Sequence, residues 1–239
     1  MSSRVRLRPR APIASDVMGA PSDRTQVRRH PERGVYDRAV VDAILDEALI
    51  CHLSYVGADG APRVIPTIHA RVDDTLYLHG SAASRTMRAV KEGPEVAVAA
   101  TLLEGLVLAR SASHHSMNYR SVVVYGRVRI VTDPEEQRKV ARAIVEHVVP
   151  GRADHVRMPN ETEQRETTML ALPLDEASAK VRTGPPVDDE EDLSSPVWAG
   201  VLPLAIAPGT PEADGDERPI FVHLADYRRP SAGQVVRRA

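Results

Sequence analysis

The chain has 239 residues, with 31 Lys and Arg against 33 Asp and Glu for a formal charge of −2, and 42% of its residues are hydrophobic. That length suits one domain, or two small ones, with a buried core. Near-neutral charge argues against a dominant binder of phosphate backbones, and 3% aromatic residues are too few for a platform that stacks bases or sugars.

Residues 1–33 carry Arg4, Arg6, Arg8, Arg10, Arg24, Arg28, Arg29 and Arg33 among scattered Pro and Gly, with no helical or strand period. Between a nucleic-acid-binding arm and a solvated basic tail, the tail is the ordinary behaviour of a terminus. Asp37 reads as an N-cap, and Val40, Val41, Ile44, Leu45, Ala48 and Leu49 follow at helical spacing. Residues 50–56 then alternate, Gly57-Ala58-Asp59-Gly60 makes a hairpin turn, and residues 63–72 alternate with Val64, Pro66, Ile68, Ala70 and Val72 on one face. Asp73-Asp74 turns the chain into 75–79, so these segments read as a three-stranded antiparallel meander. A short helix over 84–91 stops at Gly93-Pro94.

Residues 96–103 are apolar on both faces and predict a central strand, with 106–109 close behind it. Residues 120–131 are the longest strand candidate, with Val122, Val124, Val128 and Ile130 on one side. Asp133-Pro134-Glu135-Glu136 supplies an N-cap, an N1 proline and a reaching-back carboxylate to a helix striped by Val140, Ala141, Ile144, Val145 and Val148. A last strand over 168–174 precedes 178–182, the acidic run 188–192 reads as a solvated loop, and Pro208-Gly209-Thr210-Pro211 opens a linker. The total is five to seven antiparallel strands with a few peripheral helices, a barrel-like pattern.

The lone Cys51 excludes a disulfide framework within the chain and any multi-cysteine zinc site, and a reducing cytoplasm is the expected compartment. No apolar run is long enough for a membrane span. Phosphate-loop, dinucleotide-fold, nucleophile-elbow and zinc-protease motifs are absent. Residues 77–85, Tyr-Leu-His-Gly-Ser-Ala-Ala-Ser-Arg, join a strand to a helix. Small residues, the hydroxyls of Ser81 and Ser84 and the fork of Arg85 are the parts of an anion site, and equally of a capped helix with a solvated Arg. In the 63–71 segment, Arg63, Thr67, His69 and Arg71 make one face polar apart from Ile65, and Pro66 interrupts the backbone donors. That suits a docked flat heterocycle or a plain edge strand. His114-His115 in a strand would point to opposite faces with no carboxylate set around them, so no metal site is expected.

Four blocks in order resemble the FMN-binding split-barrel superfamily of pyridoxamine 5'-phosphate oxidase-like proteins, in the branch of the 5-nitroimidazole reductases. These are 62–67, PRVIPT; 76–85, LYLHGSAASR; 118–126, NYRSVVVYG; and 180–186 with 196–203, KVRTGPP and PVWAGVLP. The resemblance implies a mainly β fold, a six-stranded antiparallel split barrel with peripheral helices over 34–206, flanked by an arm over 1–33 and a linker and tail over 207–239. It implies FMN as cofactor, held by the edge Arg63, Val64, Ile65, Pro66 and Thr67 and by His79, Gly80, Ser81, Ser84 and Arg85, with Arg120 and Ser121 reaching across a homodimer seam. His79 matches the histidine suspected of acting in the reaction of nitroimidazole-reductase-like members. Thr86 replaces the Lys of true pyridoxamine-phosphate oxidases, and Lys180-Val181-Arg182 replaces their Arg-x-His pair, so pyridoxal phosphate synthesis is not expected.

The function this implies is a flavin-dependent reduction of a small nitroaromatic- or quinone-like acceptor, with NADH or NADPH as donor and no membrane or nucleic-acid partner. A flavin or haem carrier without turnover and a deazaflavin-dependent reductase are the alternatives.

Overall fold

The computed structural model describes residues 19–215. Helix α1 (Arg38–Glu47) starts where expected, the Asp37 side chain accepting from the Ala39 N–H, and it buries Val40, Val41, Ile44 and Leu45. Its C-terminal carbonyls, which have no intrahelical partner, are met by two imidazoles. Nε2 of His69 donates to the Leu45 carbonyl at 2.8 Å and Nε2 of His147 to the Ala48 carbonyl at 2.8 Å, with the rings 4.6 Å apart.

The strands are β1 (Gly34–Val35), β2 (Cys51–Val56), β3 (Pro62–Thr67), β4 (His69–Val72), β5 (Thr75–Ser81), β6 (Glu95–Leu108), β7 (Ser116–Arg127), β8 (Arg129–Ile130), β9 (Thr167–Pro173), β10 (Glu176–Arg182) and β11 (Gly200–Pro203). They form two antiparallel sheets. The larger runs β1-β10-β7-β6-β2-β3, with β11 beside β6, and the smaller runs β4-β5-β9-β8. Among the described residues the expected split barrel is thus built from eleven strand segments, and neither sheet closes on itself. The main core lies between the sheets, joining Leu53, Val98 and Val124 to Leu76, Leu78 and Leu170. Helix α3 (Pro134–Val148) covers the other face of the smaller sheet, packing Val140, Ala141 and Ile144 on Tyr77, Met169 and Ala171.

Two predicted strands turn out to change sheets midway. The 63–72 segment breaks at Ile68, its first half closing the larger sheet and its second half opening the smaller one. The apolar face of 63–72 therefore has no single environment: Ala70 is buried, while Val64 is 59% exposed. The 120–131 segment breaks at Val128, just past Gly126 with its φ of 157°, and only β8 continues into the smaller sheet. Val122 and Val124 are buried, but Ile130 is exposed. The longest strand is β6, with 14 residues, because a bulge between Leu103 and Gly105 joins the two apolar runs that looked separate. The 168–174 strand is not the last, since β10 and β11 follow it.

Glu136 does not reach back to cap α3. It accepts from the Tyr77 hydroxyl at 2.8 Å and from the Arg129 guanidinium, while Asp133 alone caps the helix. Within the acidic run, Asp188 is buried against Arg110 rather than solvated. Arg24 pairs with Glu95 and Glu176 and lies over the Tyr125 ring, which ties residues 22–33 to the larger sheet. Arg4, Arg6, Arg8 and Arg10 and the 228–239 segment lie outside the described residues. Among the described residues, no helix is long and apolar enough to cross a membrane.

Candidate functional site

Strand β3 is a bare edge of the larger sheet, bonded to β2 on one side only, the short β1 forming the opposite edge. Such an edge presents unpaired backbone donors and acceptors, and Pro66 removes one donor from the ladder. Val64, Ile65 and Pro66 are exposed along it, and the Thr67 hydroxyl donates to the Ile68 carbonyl at 3.4 Å.

The edge meets the junction of β5 with helix α2 (Arg85–Lys91) at one carboxylate. Asp59, in the β2–β3 turn, accepts from Arg63 at 2.6 Å, and the Arg85 guanidinium lies 3.9 Å from the same oxygen. The Ala61 N–H, ahead of Arg63, holds the Asp59 carboxyl below the usual range. Two of the predicted blocks are therefore joined through the hairpin turn between β2 and β3. Arg85 is 77% exposed, which leaves its fork open to an arriving anion.

Around Arg85 the small residues have local tasks. The Ser84 hydroxyl oxygen accepts from the Met87 N–H at 3.1 Å and caps α2, and Ser81 Oγ accepts from the Ala83 N–H at 3.3 Å. Gly80 was expected to let a ligand approach, but a Cβ there would meet Met87 Cε at 2.8 Å. Its smallness serves the packing of α2 on β5.

His79 is half-buried on β5 opposite Met169, and its Nδ1 is enclosed with no hydrogen-bond partner. Burial pushes its pKa below 6.5. The unfolded chain then binds more protons than the folded one as pH falls below 6.5, so stability drops with acidity through that window. His79→Gln is expected to flatten the fall in urea midpoint below pH 6.5; an unchanged pH profile would show that His79 is not its source.

Arg120 does not reach toward a seam in this chain. Its side chain is 4% exposed on the inner face of β7, with Nη2 donating to Glu47 and Nε to Glu104, each at 2.8 Å, and Nη1 buried without a partner. Strand alternation puts Ser121 on the outer face, its hydroxyl donating to the Lys180 carbonyl at 3.3 Å. Glu47 and Glu104 were missed as partners; an acidic residue before Gly105 inside an apolar strand was the available hint of a bulge. His114 lies in a helical turn, Ala112–His114, and not in a strand, 3.7 Å from Asp189.

Two sheets that share a core without closing, with one bare edge beside a strand–helix junction, define a split β-barrel. The chain belongs to the pyridoxamine 5'-phosphate oxidase family, whose sequence profile matches residues 37–181. The flavocytochrome Anf3 from Azotobacter vinelandii is similar at 37% identity and a TM-score of 0.81, covering 88% of this chain and 99% of its own. The FAD and heme binding protein from Mycobacterium smegmatis is 33% identical, with a TM-score of 0.77 over 81% of this chain and 96% of its own. A structure described as a 5-nitroimidazole antibiotic resistance protein from Bacteroides thetaiotaomicron shares the fold at 22% identity and a TM-score of 0.54, over 62% of this chain and 86% of its own. No curated protein matches the chain.

Proposed function

We propose that this chain is a redox protein that binds a flavin and a haem and moves electrons from a reduced nicotinamide to a small nitroaromatic- or quinone-like acceptor. The observation that carries the reading is the convergence of Arg63 and Arg85 on Asp59, beside the bare edge of β3, in a family member whose two similar relatives are named for flavin and haem. The residues fit a flavin. A flat heterocycle can bond the free backbone of 63–67, the open fork of Arg85 suits a ribityl phosphate, and the enclosed Nδ1 of His79 is a polar atom still needing a partner. FMN and FAD share the ring and first phosphate; the Mycobacterium relative is named for FAD, and FAD is the flavin proposed in place of FMN.

Bound flavin and haem supply the electron exchange, and the protein supplies orientation and electrostatics. The β3 backbone orients the ring edge, and Arg85 neutralises phosphate charge. His79, kept neutral by burial, offers a nitrogen that can accept or donate a hydrogen bond at the acceptor. A homodimer completes the reading, with Ser121 rather than Arg120 offered to the second copy, and a reducing cytoplasm as the compartment.

The test is the absorbance spectrum of the full-length protein as purified, with released chromophores identified by mass. Flavin bands with a Soret band, bleached by NADH or NADPH and restored by a nitro compound, are expected. Colour that no donor bleaches would make the chain a carrier, and a colourless protein that takes up only a deazaflavin would overturn the flavin assignment.

A further inference from the structure

Beyond the bulge at Leu103/Gly105, β6 is paired with β7 on one side and β11 on the other, a three-stranded ribbon. Register fixes which residues share a face. Met117 stands opposite Leu106, Leu106 opposite Leu202, and Leu108 opposite Gly200. The other face is closed, with Val107 1% exposed, whereas Met117 and Leu202 are each 51% exposed. Gly200 has no Cβ because the indole of Trp198 lies there, 2.8 Å from where that atom would stand. Trp198, the only tryptophan, is 66% exposed over the same face. The ribbon therefore presents an apolar face bearing an open indole and a thioether.

At the edge of this surface stands His115, exposed on extended backbone immediately before β7 and two residues ahead of Met117. Its Nδ1 lies 2.9 Å from the Ser111 carbonyl and donates to it, which leaves the Nε2 lone pair directed elsewhere. A ring held through one nitrogen by a backbone carbonyl is the arrangement that orients histidines for metal ligation. Other histidines are differently engaged: His69 and His147 turn Nε2 to carbonyls of the α1 end, and His114 lies beside Asp189.

We propose that haem sits on the open face of the β6–β7–β11 ribbon and that His115 is an axial ligand of its iron. The proposal rests on the haem reading above. The extent of the matches supports it: 88% and 81% of this chain exceed what residues 1–181 can supply, so both haem-named relatives share part of the segment beyond the family profile, the segment that carries Trp198 and β11.

Full-length protein reconstituted with haemin tests it. His115→Ala is expected to lose the wild-type ferric absorption and electron-paramagnetic signature and to weaken haemin binding by roughly tenfold or more, with added imidazole restoring the signature. Trp198→Ala should weaken haemin while keeping that signature, and His114→Ala should change neither. His115→Ala that binds haemin with an unaltered spectrum would overturn the assignment and leave the haem reading intact. Loss of the signature in His52→Ala instead, on the exposed outer face of β2, would move the ligand there. Wild-type protein that takes up no haemin would overturn the haem reading itself.

Discussion

Replacing Arg120 with alanine is expected to remove about 3–5 kcal/mol of folding stability, the usual cost of taking one partner from a buried ion pair. The guanidinium ties three parts of the fold: Glu47 at the end of α1, Glu104 at the β6 bulge, and β7 itself. Without it two carboxylates face a site shaped for a cation. The side chain is 4% exposed and the carboxylates 18% and 24%, so water screens the group little. Urea unfolding of the full chain measures the loss. Arg120→Met together with Glu47→Gln and Glu104→Gln should recover much of it, since the cost lies in the uncompensated charge more than in the missing attraction. A loss below about 1 kcal/mol, in the range of surface pairs, would show that the triad is solvated. A change in dimerisation with stability intact would return Arg120 to the seam.

Local signals in the sequence carried most of the fold. Asp37 and Asp133 cap their helices, Gly57–Gly60 turns the first hairpin, and the alternation of 51–56 matches its burial. The failures share a cause. At Ile68 and at Val128 the chain crosses from one sheet to the other, and a strand that changes sheets keeps its alternation while its two halves bury against different neighbours. Periodicity reports that a residue has two faces and not which layer each face meets. The bulge hid β6 in the same way, splitting one strand into two apolar runs.

The candidate site was legible as residue types and less so as geometry. Arg63, Arg85 and the β3 edge do come together, but through Asp59, which reads in sequence as an ordinary turn residue. Gly80 and Ser84 are explained by the packing and capping of α2, tasks that look the same in sequence as ligand cradling. The inward turn of Arg120 is not legible in the sequence, because the side to which a strand residue points depends on register and its acidic partners lie 73 and 16 residues away in the chain.

Cys51 is expected to be almost inert in the native protein, and that inertness carries meaning for the redox reading. The residue is 0% exposed, and desolvation pushes its thiol up to about 12. Only the thiolate attacks a disulfide reagent, so near pH 8 the pKa alone lowers the reactive fraction on the order of a thousandfold against a free cysteine. Burial adds the requirement that the chain open first. Labelling should therefore follow the unfolding equilibrium, and Arg120→Ala should speed it on the order of a hundredfold or more, at about 1.4 kcal/mol per factor of ten. Rapid labelling of the folded wild-type chain would place Cys51 within reach of solvent and overturn the burial argument. With Cys51 closed to exchange and no second cysteine in the sequence, a thiol–disulfide couple within the chain cannot carry the electrons of the proposed redox role.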